Sequence, residues 1–199
     1  MSVTLRPMRW WDIERILPVE QELFGDEPWS ERMFWSELAQ TDTRYYLVAT
    51  VSGGAAGTDP GGAAGTDPGD AADAGPGAAV GSAGPAVAPA DGHETELLLG
   101  YGGLCVYPDE AFVQTLAVRR SAQGRGVGRA LLEALLAEAA GRGRSTVGLE
   151  VRADNDGAQR LYRRYGFEPV ARRRGYYQPS GVDAIIMQRT PSSATRVGQ

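Results

Sequence analysis

Apolar and polar positions alternate in short runs along most of the chain and give way in four places to the spacing of an amphipathic helix. Val3 to Met8 reads as a first strand, and Ile13, Ile16, Leu17 and Leu23 then mark a helix over 12–24. Pro18 should kink that helix or end its first turn, since it has no N–H to donate. A second helix opens after Pro28-Trp29-Ser30, with Ser30 as N-cap. Tyr45 to Ala49 and Leu97 to Tyr101 are aromatic- and Leu-rich runs with strand character. Ala111 to Val118 is a fourth strand, followed by a glycine-rich turn and a helix to about Gly141, which suits a C′ position. Thr146 to Val151 is a fifth strand, Asp156 to Tyr165 a helix stopped by Gly166, and Glu168–Arg174 and Asp183–Gln188 the last two strands. The order β-α-α-β-β-β-α-β-α-β-β predicts a mixed α/β layer fold.

Between the second and third strands the pattern disappears. Gly53 to Pro60 reads GGAAGTDP, Gly61 to Pro68 repeats it unchanged, and Gly, Ala, Pro and Asp continue to about Gly92. So few large apolar side chains cannot offset backbone ordering entropy, so 52–94 is expected to be disordered. With strands on both sides, it is an overgrown hairpin loop inside one domain of residues 1–190, and 191–199 a flexible tail. Loop-closure entropy grows slowly with length, which makes a neutral insertion the simplest account.

That segment also skews the charge. The chain of 199 residues carries a formal charge of −5, yet residues 51–96 hold seven acids and no base, leaving 18 acids against 20 arginines elsewhere. The acidic balance therefore says little about the partner of the folded part. One cysteine, Cys105, allows no internal disulfide and sits among Gly103, Leu104 and Val106 as a small buried hydrophobe rather than a nucleophile. The one histidine, His93, lies in the low-complexity tract, which argues against a histidine triad or a metal site. No apolar run is long enough to span a membrane, and Met1 to Arg9 has no signal-peptide core, so a cytoplasmic location is expected.

The chemistry begins at Arg119 to Arg129, RRSAQGRGVGR, between a strand and a helix. This arrangement aims backbone N–H groups and the positive end of a helix at a phosphate. Gly124, Gly126 and Gly128 let an anion come close, and Arg125 and Arg129 add charge-assisted contacts. The triphosphate loop needs a Gly-Lys pair, and the chain has no lysine. The dinucleotide fingerprint has a different glycine spacing. What remains, Gln123-x-x-Gly126-x-Gly128, resembles the signature with which GNAT acetyltransferases hold the pyrophosphate of acetyl-coenzyme A. The duller alternative is a glycine-rich turn with solvated arginines.

A second set of motifs narrows the resemblance. Leu149-Glu150-Val151-Arg152 with Asn155, Leu161-Tyr162 with Gly166-Phe167, Arg173-Arg174-Gly175-Tyr176-Tyr177, Asp183 to Met187 and Glu27-Pro28-Trp29-Ser30 together resemble the RimI-type N-terminal alanine acetyltransferases. The likeness covers residues 3–190 apart from the insert. It implies the GNAT fold, with central strands that splay to admit the pantetheine arm. It implies acetyl-CoA as co-substrate, no metal, and the α-amino group of a small-subunit ribosomal protein as acceptor, with no role for membrane or direct nucleic-acid binding. By the same carry-over Glu150 is the general base and Tyr162 the general acid. Leu116, Ala117, Val118 and Asn155 meet the acetyl and pantetheine groups, Gly124 to Arg129, Val127 included, the pyrophosphate, and Trp29, Tyr176 and Tyr177 the acceptor.

The residues permit this chemistry on their own terms. An α-amine ionises at about pH 7.7–8.0 against about 10.4 for lysine, so roughly a tenth of it is free base at neutral pH. Duller roles stay open: Glu150 as a strand-end carboxylate paired to Arg152 or Arg174, Tyr162 as core, Asn155 as a helix cap, Arg172 to Arg174 as a solvated face. Two other functions remain, acetylation of a small-molecule amine and a non-catalytic module that binds coenzyme A or RNA. The Arg-Gly run suits RNA, but such segments lack a strand before and a helix after.

Overall fold

The computed structural model describes residues 2–25, 27–52 and 96–190. The disordered insert expected at 52–94 (Ser52 apart), His93 and the tail 191–199 lie outside them. The fold described below belongs to the unit made of residues 1–52 and 97–199.

Among the described residues, seven strands and four helices follow the expected order. They are β1 (Thr4–Pro7), α1 (Ile13–Phe24), α2 (Glu31–Leu38), β2 (Arg44–Ser52), β3 (Glu96–Val106), β4 (Ala111–Val118), α3 (Val127–Gly141), β5 (Val147–Arg152), α4 (Asp156–Arg164), β6 (Glu168–Tyr177) and β7 (Val182–Arg189). The strands form one sheet in the order β1-β2-β3-β4-β5-β7-β6. The mixed α/β class is as expected. Only β4 and β5 run parallel among the strand pairs whose registers are defined. A parallel neighbour needs a crossover, and the glycine loop and α3 provide it.

Two expectations fail at helix ends. Helix α1 runs through Pro18 to Phe24 without a break. Ile13, Ile16 and Val19 are buried on its inner face, and packing outweighs the one hydrogen bond that Pro18 cannot make. The C′ glycine of α3 is Gly143, not Gly141. Gly143 has φ +74, its N–H donates to Ala140 O at 2.9 Å, and Arg144 N–H donates to Ala139 O at 2.8 Å. Those two bonds make a Schellman motif, which needs its left-handed residue one position beyond the C-cap, here Arg142. Gly166 ends α4 in the same way, and Ser30 caps α2 as expected.

Apolar layers fill both faces of the sheet. Leu131, Leu132, Leu135 and Ala139 of α3 pack with Val147, Leu149 and Val151 of β5. Ile13, Ile16 and Val19 of α1 and Phe34 of α2 pack on the other face with Tyr46, Val48 and Tyr101. Alternation along β5 therefore turns Gly148, Glu150 and Arg152 toward the α1–α2 face.

A bulge in β4 shapes the centre. Gly103 faces Thr115 and Leu104 faces Val113, so Gln114 is the extra residue. Ala111 and Val113 belong to the α3 layer before the bulge, and Leu116 and Val118 belong to it afterwards, while Ala117 joins the α1 layer. One inserted residue thus exchanges the faces of the strand. The Tyr46 hydroxyl lies 2.9 Å from Glu37 Oε2 and 2.7 Å from the Gln114 amide, tying the bulge to α2. Gly103 keeps this possible, because a Cβ there would stand 2.3 Å from Tyr46 Cε1. Gly103→Ala is expected to cost about 1–3 kcal/mol of stability, the usual range for overpacking. Urea denaturation measures it, and an unchanged midpoint with unchanged slope would contradict the tight fit.

Candidate functional site

Strands β4 and β5 are registered only at Ala111↔Val147, Phe112↔Gly148 and Val113↔Leu149. Beyond Val113, where the bulge begins, β4 and β5 share no register, and the β5-facing backbone groups of β4 open onto a gap. Phe112 stands at the mouth, 2.9 Å from where a Cβ on Gly148 would be, so glycine is what lets the ring lie across β5.

A cavity of about 800 Å³ occupies the gap and extends under α1. Its walls bring together Leu116, Glu150, Asn155, Tyr162, Trp29, Tyr176 and Tyr177 from six separate segments. Glu150, Asn155 and Tyr162 are close in sequence, whereas Trp29, Leu116 and the Tyr176–Tyr177 pair come from distant parts of the chain. The cavity also holds Glu27, from the motif before α2, and Glu20 and Gln114, which no motif in the sequence singles out.

Glu150 points into the cavity from β5 with 18 % of its side chain exposed. Its partner is Arg173, at 2.7 Å, rather than Arg152 or Arg174. Arg152 is instead paired with Asp154 at 3.0 Å and lies over the Tyr177 ring at 5.0 Å. Strand β6 is an edge neighbour of β7, and its residues reach the site only across β7, which no spacing in the sequence reveals. Arg173 also lies over the Tyr176 ring, and burial, together with the Glu150 charge, pushes the Tyr176 phenol up. Arg172 binds Asp183, which also accepts a bond from Gly175 N–H at 2.7 Å, so two of the three arginines have structural partners.

Tyr162 is 6 % exposed and packs edge-on against Phe167 at 5.9 Å. Burial, then the neighbouring Tyr177, pushes its phenol up to about 12, so it stays protonated at neutral pH. It is therefore part of the core and part of the cavity wall at once. Asn155 is likewise double: its side chain accepts a bond from Ala158 N–H at 3.0 Å as the cap of α4, and it lines the cavity.

Trp29 packs on Phe34 at 5.4 Å, and its backbone N–H donates to Glu20 Oε2 at 2.8 Å. Glu20 itself is only 2 % exposed, and burial pushes its carboxyl up to about 7, with the Trp29 bond opposing the shift. Between about pH 4.5 and 7 the folded chain holds a proton that the unfolded chain has released, so stability falls as pH rises through that window. The slope is at most about 1.4 kcal/mol per pH unit. Glu20→Gln is expected to remove it, which urea midpoints for both proteins at pH 5 and pH 7.5 measure. A signal for Glu20 existed in the sequence, since it follows Ile13 and Ile16 on the same helical stripe.

The glycine loop forms a second hollow, of about 640 Å³, lined by Gly124, Gly126, Gly128, Arg129, Leu161, Arg164 and Tyr165. Gly124 and Gly126 have φ of +74 and +83, a conformation that glycine adopts without strain. Helix α3 begins at Val127, so its first N–H groups lack intrahelical partners at the loop. Gly128 lies close under Val118 and Leu161, which seats the helix on the strand. Gln123 does not reach into the hollow; its amide donates to Val118 O at 3.0 Å and fastens the loop to the end of β4. Arg164 is not legible in the loop motif because its contribution comes from α4, one helix away in sequence. Among the described residues no group of three or more His, Cys, Asp or Glu is placed to hold a metal ion, and no helix is long and apolar enough to cross a membrane.

The chain is similar to known proteins in sequence and fold. The acetyltransferase (GNAT) family pattern matches residues 78–167. The N-alpha-acetyltransferase RimI of Mycobacterium tuberculosis is 34% identical over 192 residues, covering 94% of this chain and 92% of that protein. The ribosomal protein bS18-alanine N-acetyltransferase of Escherichia coli is 47% identical over 81 residues, 40% of this chain and 55% of that one. The crystal structure of the ribosomal-protein-S18-alanine N-acetyltransferase from Escherichia coli superposes with a TM-score of 0.66 at 26% identity, covering 100% of this chain and 99% of that one.

Proposed function

The chain belongs to the acetyltransferase (GNAT) family as an N-acetyltransferase that uses acetyl-CoA, and from that premise we propose that its acceptor is the α-amino group of a protein N-terminal alanine, of the small-subunit ribosomal protein S18 type. One observation carries the reading: a carboxylate and a protonated phenol, Glu150 and Tyr162, share a cavity at the gap between β4 and β5.

Acetyl-CoA fits the two hollows by chemistry. The pyrophosphate has the left-handed glycines, the start of α3 and the arginines Arg129 and Arg164 on the hollow's wall, with Arg125 beside them in the loop sequence. The pantetheine arm has the gap, with Leu116 on one wall and Asn155 on the other. Backbone N–H groups along Leu116, Ala117 and Val118 supply donors to the thioester carbonyl, as an oxyanion hole does.

Acetyl transfer then proceeds by direct attack. Glu150 acts as general base for the attacking nitrogen, and its ion pair with Arg173 holds it oriented. Tyr162 donates a hydrogen bond to the departing sulfur and its proton with it. A thiol ionises near 8.5 by analogy with cysteine, about 3.5 units below this phenol, so the hydrogen bond steadies the thiolate before the proton moves. Trp29, Tyr176 and Tyr177 form the aromatic wall against which the first residues of the acceptor rest. The bond from Gln178 N–H to Glu27, at 3.2 Å, closes that wall between the β6–β7 hairpin and the segment after α1.

Incubation with acetyl-CoA and a panel of acceptors tests the reading by mass spectrometry. Peptides beginning with alanine are expected to gain one acetyl group at the α-nitrogen. Faster acetylation of a polyamine, an aminoglycoside or a lysine side chain would overturn the acceptor and leave the enzyme class standing.

A further inference from the structure

Making an amide from an α-ammonium strips two protons from one nitrogen. The first must leave before attack, because an ammonium has no lone pair. The second leaves after the N–C bond forms, as the C–S bond breaks and its electron pair departs with sulfur. One proton ends on the thiol and the other in solvent, so ammonium and thioester give amide, thiol and H⁺. A single carboxylate cannot hold both protons at once.

The cavity contains a second buried carboxylate that the mechanism above leaves unused. Glu20 projects from α1 onto the same face of the sheet as Glu150 and lines the same cavity. The Trp29 N–H holds its Oε2, and its Oε1 has no bond among the described residues. Glu150 carries a cation as partner, Arg173, whereas no cation pairs with Glu20 among the described residues.

We propose that Glu20 is the first proton acceptor of the reaction: it takes the proton that converts the acceptor's ammonium into the attacking amine and leaves Glu150 to take the one shed after attack. This rests on the α-amine acceptor proposed above. Burial makes the transfer feasible, since a carboxyl pushed up to about 7 lies within about one unit of an α-ammonium at 7.7–8.0. An ordinary carboxylate would be several units too acidic. Across the cavity Glu20 faces Glu27 beyond α1, Tyr107 after β3, Glu150 on β5, Tyr162 on α4 and Tyr176 and Tyr177 on β6. The phenols of Tyr162, Tyr176 and Tyr177 are all pushed up, so none of these three titrates below pH 8. Arg152, also on the wall, is committed to Asp154, and β4 presents Gln114, Thr115 and Leu116, which do not ionise.

Glu20→Gln tests the idea, because its amide oxygen still accepts the Trp29 N–H while its charge is gone. Dependence of kcat/KM on pH is measured for an Ala-initiated peptide at saturating acetyl-CoA. At pH 6.5 the variant is expected to fall at least tenfold below the parent. At pH 9, where the amine is already neutral, the deficit shrinks to less than about threefold. Glu20→Asp, which keeps a titrating group, retains the acid limb of the parent. A loss equal at every pH assigns Glu20 a structural role and overturns the proposal, as does no loss. Carboxyl-¹³C NMR of the unaltered protein is independent of any variant's folding: the Glu20 titration and the acid limb of the rate are expected to coincide within one pH unit, and a larger gap overturns the proposal. A parent that acetylates no α-amine in this assay would instead overturn the acceptor on which the proposal rests.

Discussion

Glu150→Gln is expected to lower turnover about a hundredfold while acetyl-CoA binds with parental affinity. General base catalysis contributes about 10²–10⁴ in rate, and the amide cannot accept the proton that leaves the nitrogen. Cofactor affinity is spared because the residues assigned to the pyrophosphate lie in the glycine loop, α3 and α4, apart from Glu150. Breaking the pair with Arg173 leaves a half-exposed guanidinium in water, a cost of less than about 1 kcal/mol. The fold therefore survives, and single-turnover rates with calorimetry separate chemistry from binding. Parental turnover in this variant would remove Glu150 from the mechanism.

Gly126→Asp is expected to weaken acetyl-CoA binding at least about a hundredfold, or roughly 2.7 kcal/mol. A carboxylate would stand at the start of α3, where the pyrophosphate is assigned, and two like charges about 4 Å apart repel by roughly 4 kcal/mol near a protein surface. A Cβ at this position meets nothing within 4 Å, and aspartate tolerates the left-handed conformation better than most residues. An acid at a helix N-terminus is otherwise stabilising. Lost binding in a protein with parental melting behaviour thus reports on the loop and not on misfolding. Unchanged calorimetric affinity would place the pyrophosphate elsewhere.

Much of the fold was legible because its signals are local. Two-residue alternation marked the strands, a stripe at three and four marked the helices, and Ser30 and Gly166 supplied caps by side-chain and backbone geometry alone. Pro18 and Gly141 misled for the converse reason: each has a strong local preference, and each was overruled, one by packing and the other by the exact turn at which α3 ends. The phosphate loop was legible because glycine spacing and the helix behind it are contiguous in sequence.

The candidate cavity was legible only in pieces. Glu150 and Tyr162 stood out as an acid in an apolar strand and a tyrosine on the following helix. Their companions did not. Glu20 stood on the apolar stripe of α1 with nothing to say what it faced, Arg173 stood in a motif with no sign of its pairing to Glu150, and Gln114 passed as an ordinary strand residue.

The sequence by itself determined the order of elements, the glycine loop and two of the side chains proposed to react, because each depends on neighbours a few residues away. Tertiary structure alone decided what those side chains face. A bulge at Gln114 exchanges the faces of β4, and the parting of β4 from β5 opens the gap. Strand β6 brings Arg173 to Glu150 across β7, and α1 carries Glu20 into the same space. A carboxylate's proton affinity depends on the water and charge around it, and for Glu20 these follow from its burial and the Trp29 N–H, which the packing of α1 decides. For that reason the loop and the motifs after it pointed to the family from sequence, while the proposal of Glu20 as a second proton acceptor had to wait for the cavity.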